Sequence, residues 1–463
     1  MIYIAHHLST LLGFVLALLL FSHVLLEKRS PSSTLAWILF IFFVPYLGIP
    51  FYLVFGGRKM ARLMKAKDFL YEGEGDPRES ASNHIAEKIL AGSGVPPACR
   101  GNQVTLLETG EKAYASLIQL IEGAEQSLQV ATFILGNDPV GHDILERLGK
   151  KAAEGVQVRL LLDAFGCFGF PRQRLARFRE QGGELARFMP MLHFPFRGRS
   201  NLRNHRKMAI ADRKYAILGG MNLAEEYMGP VPLASRWRDL SLRLEGPGVG
   251  AVDNVFQSDW EFAAKSSTSV SPSDDEVKRD TSSAGPITVQ VAGSGPDSDG
   301  DPLYDAYLTE IFRSTKRIWI ATPYFVPDDA ITRGLELAAR RGVDVRILVP
   351  RESNHRLADL ARGSCLRQIE QAGGKIHLFN GGMMHAKATL IDDDCAVVAS
   401  ANLDMRSLFL NYEIAVFLYS GESVDQLSEW FISLGKESTV GCPKVARARE
   451  LMEGMARLVS PLL

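Results

Sequence analysis

The stretch Met384–Asp394, MHAKATLIDDD, decides the reading of this chain, because the chain has already written it once, as NHRKMAIADRK over Asn204–Lys214. Each copy runs His-x-Lys, four residues, Asp: His205, Lys207 and Asp212 in the first, His385, Lys387 and Asp392 in the second. One His-x-Lys carries no signal. Here each copy is followed in matching register by more polar residues. After each Asp six residues pass, and then come GGMN (Gly219–Asn222) and ASAN (Ala399–Asn402), followed by an acid, Asp239 in SRWRDLS and Glu413 in NYEIAV.

Working outward, the repeat covers most of the chain beyond residue 100. SLQVATFIL (127–135) answers RIWIATPYF (317–325), AAEGVQVRLLLDAFG (152–166) answers AARRGVDVRILVPRE (338–352), and GGELARF (182–188) answers GGKIHLF (373–379). In each half, apolar β-rich runs alternate with helical stretches, which predicts an α/β layered unit with a largely parallel sheet. The Ser-rich, apolar-poor run 265–286 reads as a flexible linker between a first half, 100–264, and a second, 287–463.

The repeated residues suit phosphoryl transfer on a diester. On a strand, His and Lys at i and i+2 share a face, which puts a nucleophile or acid beside a fixed cation. Asp212 and Asp392 lie an odd number of positions past their His, and are expected to orient the turn and neighbouring backbone. Asn222, Asn402 and Ser400 can donate to phosphoryl oxygens, with small neighbours letting the backbone approach. Asp239 and Glu413 can each fix a His tautomer, leaving its other nitrogen free. Two facing half-sites then supply a histidine that attacks phosphorus and a histidine that shuttles the proton. Lysine and asparagine neutralise the phosphoryl oxygens, so neither metal nor cofactor is expected. The triplet Asp392-Asp393-Asp394 reads as a solvated turn, His355 and His377 as structural, and Trp260 as core.

At 463 residues the chain is long enough for several units, and its net charge of −1 gives no global basic field for nucleic acid. Five scattered cysteines form no C-x-x-C, against a disulfide framework or zinc site and for a reducing, cytosol-facing location. Residues 8–26 and 34–55 carry no Asp, Glu, Lys or Arg. As helices they reach roughly 28 and 33 Å, near the thickness of a hydrocarbon core. They predict a two-helix transmembrane hairpin within 1–57, followed by a basic juxtamembrane linker, 58–99. Arg58, Lys59, Arg62, Lys65 and Lys67 outweigh Lys28 and Arg29 of the connecting loop, which puts the rest of the chain on the cytoplasmic side.

Together these residues resemble the phospholipase D superfamily, whose signature is His-x-Lys-x4-Asp followed by Gly-Ser-x-Asn. The resemblance is nearest to bacterial cardiolipin synthases, and extends to SPSSTLAWILFIFFVPYLGIPFYLVFGGR, FQSDW, TPYFVPDD and RGVDVRILVP. It implies two phospholipase D-like α/β/α sandwich repeats packed as a pseudo-dimer behind the membrane hairpin. It implies a phosphatidyltransferase of the inner (cytoplasmic) membrane that joins two phosphatidylglycerols into cardiolipin and releases glycerol. By resemblance His205 is the nucleophile, through a phosphohistidine, and His385 the general acid/base. The alternatives are a hydrolytic phospholipase D, a transphosphatidylase using another alcohol, a nuclease or phosphodiesterase, and a membrane scaffold built on an inactive repeat. The sequence departs from the pattern at Gly220, where the superfamily often has Ser, at Ala399 in place of Gly, and at Asp239, shorter than the usual Glu.

Overall fold

A computed structural model describes residues 31–55, 67–71, 84–189, 202–264 and 283–458, with Ser82 and a few positions between 18 and 25. Most of the first predicted span, most of the basic run that follows the second, and residues 265–282 of the predicted linker lie outside the described residues. The N-terminal apolar helices and the body formed by 67–190 and 203–463 are separate compact units.

In the body, the repeated runs become strands: β1 (Cys99–Leu107), β2 (Ser127–Thr132), β3 (Gln157–Asp163), β4 (Glu184–Phe188), β5 (Met208–Ala211), β6 (Tyr215–Gly219) and β7 (Ser241–Glu245) in the first half. The second half contributes β8 (Ile287–Ser294), β9 (Arg317–Ala321), β10 (Phe325–Val326), β11 (Asp344–Pro350), β12 (Lys375–Phe379), β13 (Ala388–Ile391), β14 (Cys395–Ala399), β15 (Leu403–Asp404), β16 (Glu413–Leu418) and β17 (Ser438–Val440). Among the described residues, β10 and β15 pair with each other, and the rest form one sheet of order β17-β12-β11-β9-β13-β14-β16-β8-β1-β7-β6-β5-β2-β3-β4. Read from its centre outward, the order is the same on both sides, β17 apart. The antiparallel edge pairing of β1 with β8 joins the halves into a pseudo-dimer.

The expectation of a largely parallel sheet is corrected. Within the large sheet, among the described residues, only β2-β3-β4 and β9-β11-β12 are parallel, each joined by helical crossovers. The strands that carry the repeated motif are antiparallel hairpins, β5-β6 and β13-β14. Two residues at the β5-β6 turn, Asp212 and Arg213, sit at φ 51° and 54°, the left-handed geometry that matches a tight hairpin to the strand twist.

Helices cover both faces of each half. Those after the first repeated strand start alike. Asp138 accepts from Gly141 N ahead of Pro139–Ala153, and Asp328 accepts from Ile331 N ahead of Asp329–Arg340. Each cap satisfies a helix-end donor that would otherwise be orphaned. Each half has its own core, around Ile144, Leu160 and Phe178 in the first and Ile320, Leu335 and Ile347 in the second. Trp260 is buried, as expected.

The second predicted span is not one helix. Residues 31–55 form Pro31–Phe43 and Pro45–Phe55, and among the described residues no helix is long and apolar enough to cross a membrane. In a straight helix Trp37 and Tyr52 would stand about 22 Å apart. Their rings are 5.3 Å apart, so the run folds back on itself. Pro45 lacks the amide that would continue the first helix. A Cβ on Gly48 would meet Phe40 O at 2.6 Å, so only glycine fits this close return. The fold leaves Phe42, Phe43, Tyr46 and Leu47 exposed.

Candidate active site

The His-x-Lys segments are extended approaches that precede β5 and β13, rather than parts of those strands. Each is paired with the other half of the molecule. His205 N donates to Tyr412 O at 2.9 Å, and Tyr412 N to Arg203 O at 2.9 Å. His385 N donates to Arg238 O at 2.6 Å, and Arg238 N to Met383 O at 2.8 Å. The residue after each partner is the acid of that half, so the acids cross over. Glu413 of the second half lies 3.0 and 3.1 Å from Nδ1 of His205, and Asp239 of the first lies 2.7 Å from Nδ1 of His385. Each carboxylate, fully buried, accepts a hydrogen bond from Nδ1–H and so turns Nε2 to the inside of the site, where Lys387 Nζ lies 3.1 Å from Nε2 of His385.

All these groups form one electrostatic cluster. Burial pushes His205 down to about 4, against the pull of Glu413, with Lys207 and Lys387 both opposing its protonation. Burial pushes His385 down to about 3, helped by Lys387 and Lys207. Both imidazoles are therefore neutral near pH 7. Burial also lowers Lys207, and lowers Lys387 to about 8. Lys207 Nζ donates to the carbonyl of His205 at 2.7 Å, and Lys387 Nζ donates to that of His385. Each lysine is thus folded back beside its own histidine.

Asp212 and Asp392 sit at the turns, at φ 51° and 47°. Asp212 accepts from the amides of Glu125, Gln126 and Ser127, and Asp392 from those of Thr315, Lys316 and Arg317. They tie each motif hairpin to the start of β2 or β9. Asp393 and Asp394 are not simply solvated, since they pair with Lys316 and with Arg313 and His84. His355 caps the helix Arg356–Gln371, accepting from Ala358 N.

The polar residues of the second cluster are bonded within the protein. The Ser400 hydroxyl donates to Glu413 and accepts from Ile414 N at 3.0 Å, so it braces the acid behind His205. In the first half that space is filled differently. A Cβ on Gly220 would lie 2.1 Å from Asp239 Oδ1, so the carboxylate itself occupies the room a serine would need. Asn222 Oδ1 accepts from Ile134 N at 3.1 Å, and the Asn222 side chain bonds Tyr227. The Asn402 side chain bonds Asp404.

Several neighbours were not singled out by the sequence reading. Phe133 stands edge-on to His205 at 5.1 Å, and Tyr227 and Trp237 flank His385 at 5.1 and 5.4 Å. Arg206, between the two motif residues, is fully buried and bonds Asp259, Asp297, Glu413 O and Ser294 O. Lys67 bridges the same two carboxylates at 2.5 Å each. The signal for Arg206 was its place in the motif, but a charged residue there reads as surface until the fold is known.

Comparison with known proteins bears on the whole chain. Residues 117–260 and 307–434 match the family described as cardiolipin synthase, PLD-like domain, and residues 15–57 match one described as phospholipase D-nuclease N-terminal. The chain is 33% identical to cardiolipin synthase 1 of Bacillus anthracis, over 95% of this chain and 91% of the relative. It is 32% identical to a cardiolipin synthase of Staphylococcus aureus strain Mu50, over 97% and 96%. It is 30% identical to one of Listeria monocytogenes serotype 4a, over 98% and 100%. The crystal structure of a phosphatidylserine synthase from Haemophilus influenzae shares the fold, with a TM-score of 0.62 at 15% identity over 82% of this chain and 99% of that one.

Proposed function

The chain belongs to the phospholipase D-like cardiolipin synthase family, and from that premise we propose that it joins two phosphatidylglycerols into cardiolipin and releases glycerol. The observation that carries the mechanism is the crossed pairing of each histidine with a carboxylate from the opposite half. His205 Nε2 attacks the phosphorus of one phosphatidylglycerol. The bond to its glycerol oxygen breaks, His385 supplies the proton, and a phosphatidyl-histidine remains. The terminal hydroxyl of a second phosphatidylglycerol then gives its proton to His385 and attacks phosphorus, and the P–N bond breaks. His385 is neutral before substrate arrives. A phosphodiester anion beside it opposes the two lysines and raises its proton affinity to what an acid needs. Lys207 and Lys387, with Asn222 and Asn402, hold the phosphoryl oxygens, so the reaction needs no metal.

The protein works at a membrane. The apolar N-terminal segments hold it at the cytoplasmic membrane, with the catalytic body on the cytoplasmic side. The basic run from Arg58 to Lys67 supports that orientation.

The test is purified full-length protein in detergent with phosphatidylglycerol, its products separated by mass. Cardiolipin with free glycerol is expected, unchanged by a chelator. Phosphatidic acid alone would make the protein a hydrolytic phospholipase D. Activity restored only by one added metal would remove the metal-free site.

A further inference from the structure

The loop from β3 to the helix Arg172–Glu180 has no part in the mechanism, yet it is built with care beside the site. Its sequence is AFGCFGFP, residues 164–171. Asp163 Oδ1 accepts from the amides of Phe165 and Gly166, and Cys167 is buried, its Sγ accepting from Leu135 N and donating to Phe133 O. A loop so tied down still leaves Phe165 56% and Phe168 73% exposed. Outside the N-terminal apolar helices, Phe168 is the most exposed large apolar residue among those described. Ordered, exposed phenylalanines mark a contact surface.

Two observations say what contacts it. The helix that follows presents Arg172, Arg174, Arg177 and Arg179 to solvent, against one exposed acid, Glu180. Aromatic side chains flanked by arginines complement an anionic lipid surface, the apolar rings entering the headgroup boundary and the cations lying above it. The second half, at the matching end of β11, carries ESNH (352–355) instead, so the apolar loop is a feature of one side only.

The loop is also wired to the first histidine. A Cβ on Gly166 would meet Phe133 O at 2.0 Å, and the Phe133 ring stands against His205. Asp163 Oδ2 accepts from Asn204 N, one residue before His205, at 3.0 Å.

We propose that Phe165 and Phe168, with the arginines of the following helix, dock the His205 side of the active site onto the headgroup layer of an anionic phospholipid bilayer. This rests on the lipid-substrate reading above. The loop then delivers the donor lipid at His205, and the second half, with ESNH at the matching place, offers no apolar counterpart.

The experiment uses the full chain in vesicles of phosphatidylglycerol, or of phosphatidylcholine, carrying brominated acyl chains. Phe168→Trp should add a fluorescence component quenched in phosphatidylglycerol vesicles well beyond the wild-type background. The quenching should weaken in phosphatidylcholine and with Arg174→Gln/Arg177→Gln. Phe165→Ser/Phe168→Ser should lower the ratio of activity in vesicles to activity in detergent micelles about tenfold. Absence of the added quenching in Phe168→Trp, an unchanged ratio, or protection of the introduced tryptophan by a single-stranded oligonucleotide rather than by lipid would overturn the proposal. The quenching needs no turnover. A wild type that makes no lipid product in either medium therefore sinks the catalytic reading and leaves the loop to be judged by fluorescence alone.

Discussion

At the scale of single residues, the crossed acids separate orientation from chemistry. Asp239→Asn and Glu413→Gln keep the shape but lose the charge that fixes each imidazole, and should lower kcat roughly 10–100-fold with little change in KM. His205→Ala or His385→Ala removes one of the two proposed reacting groups and should abolish product while the protein stays folded. Gly220→Ser, although it supplies the residue that Ser400 provides in the second half, should reduce activity, because the new Cβ falls 2.1 Å from Asp239 Oδ1. Acidity acts on the same pair. Both histidines have folded values below the ordinary 6.5, His205 about 4 and His385 about 3. Between pH 6.5 and about 3 the unfolded chain therefore binds more protons than the folded one. Stability is full above that window and falls as pH falls through it. Thermal unfolding of His205→Gln/His385→Gln should show a flatter pH dependence over the same range.

At the scale of elements, each motif hairpin is held by one carboxylate, and the first is held by a buried ion network as well. Asp212→Ala strips the acceptor from three amides at the start of β2 and also loses a residue suited to φ 51°. A loss of about 1–3 kcal/mol is expected, read as a lower denaturation midpoint, with residual activity per folded molecule preserved. Arg206 and Lys67 balance Asp259 and Asp297, all of them buried. Replacing either cation with Met leaves two carboxylates facing one positive charge, and should cost about 3–5 kcal/mol. Equal stability in Lys67→Met would show that the network does not need its second cation. The hairpins also explain why the sheet was misread. Alternation of strand and helix is visible along the chain and favours parallel strands, but β5-β6 and β13-β14 reverse direction within three-residue turns, 212–214 and 392–394. The left-handed Asp212-Arg213 pair that does this contains no glycine to announce it.

At the scale of the molecule, the two halves complete each other. The sheet runs through β1-β8, and each histidine is bonded by backbone and carboxylate to the opposite half. Cutting the chain within the Ser-rich run 265–282 should leave the halves associated and active on gel filtration and assay, while either half expressed alone should be inactive. The sequence by itself determined the duplication, the α/β layering, the two His-Lys pairs and the phosphoryl chemistry, because these depend on residue type and short-range spacing, which a linear chain displays. Tertiary structure alone decided which acid serves which histidine, that Ser400 braces Glu413, that Arg206 is buried, and that the 34–55 run folds back on itself. Those outcomes depend on contacts between residues far apart in the chain, or on a close packing such as Gly48 against Phe40, and no local pattern encodes where two distant segments will meet.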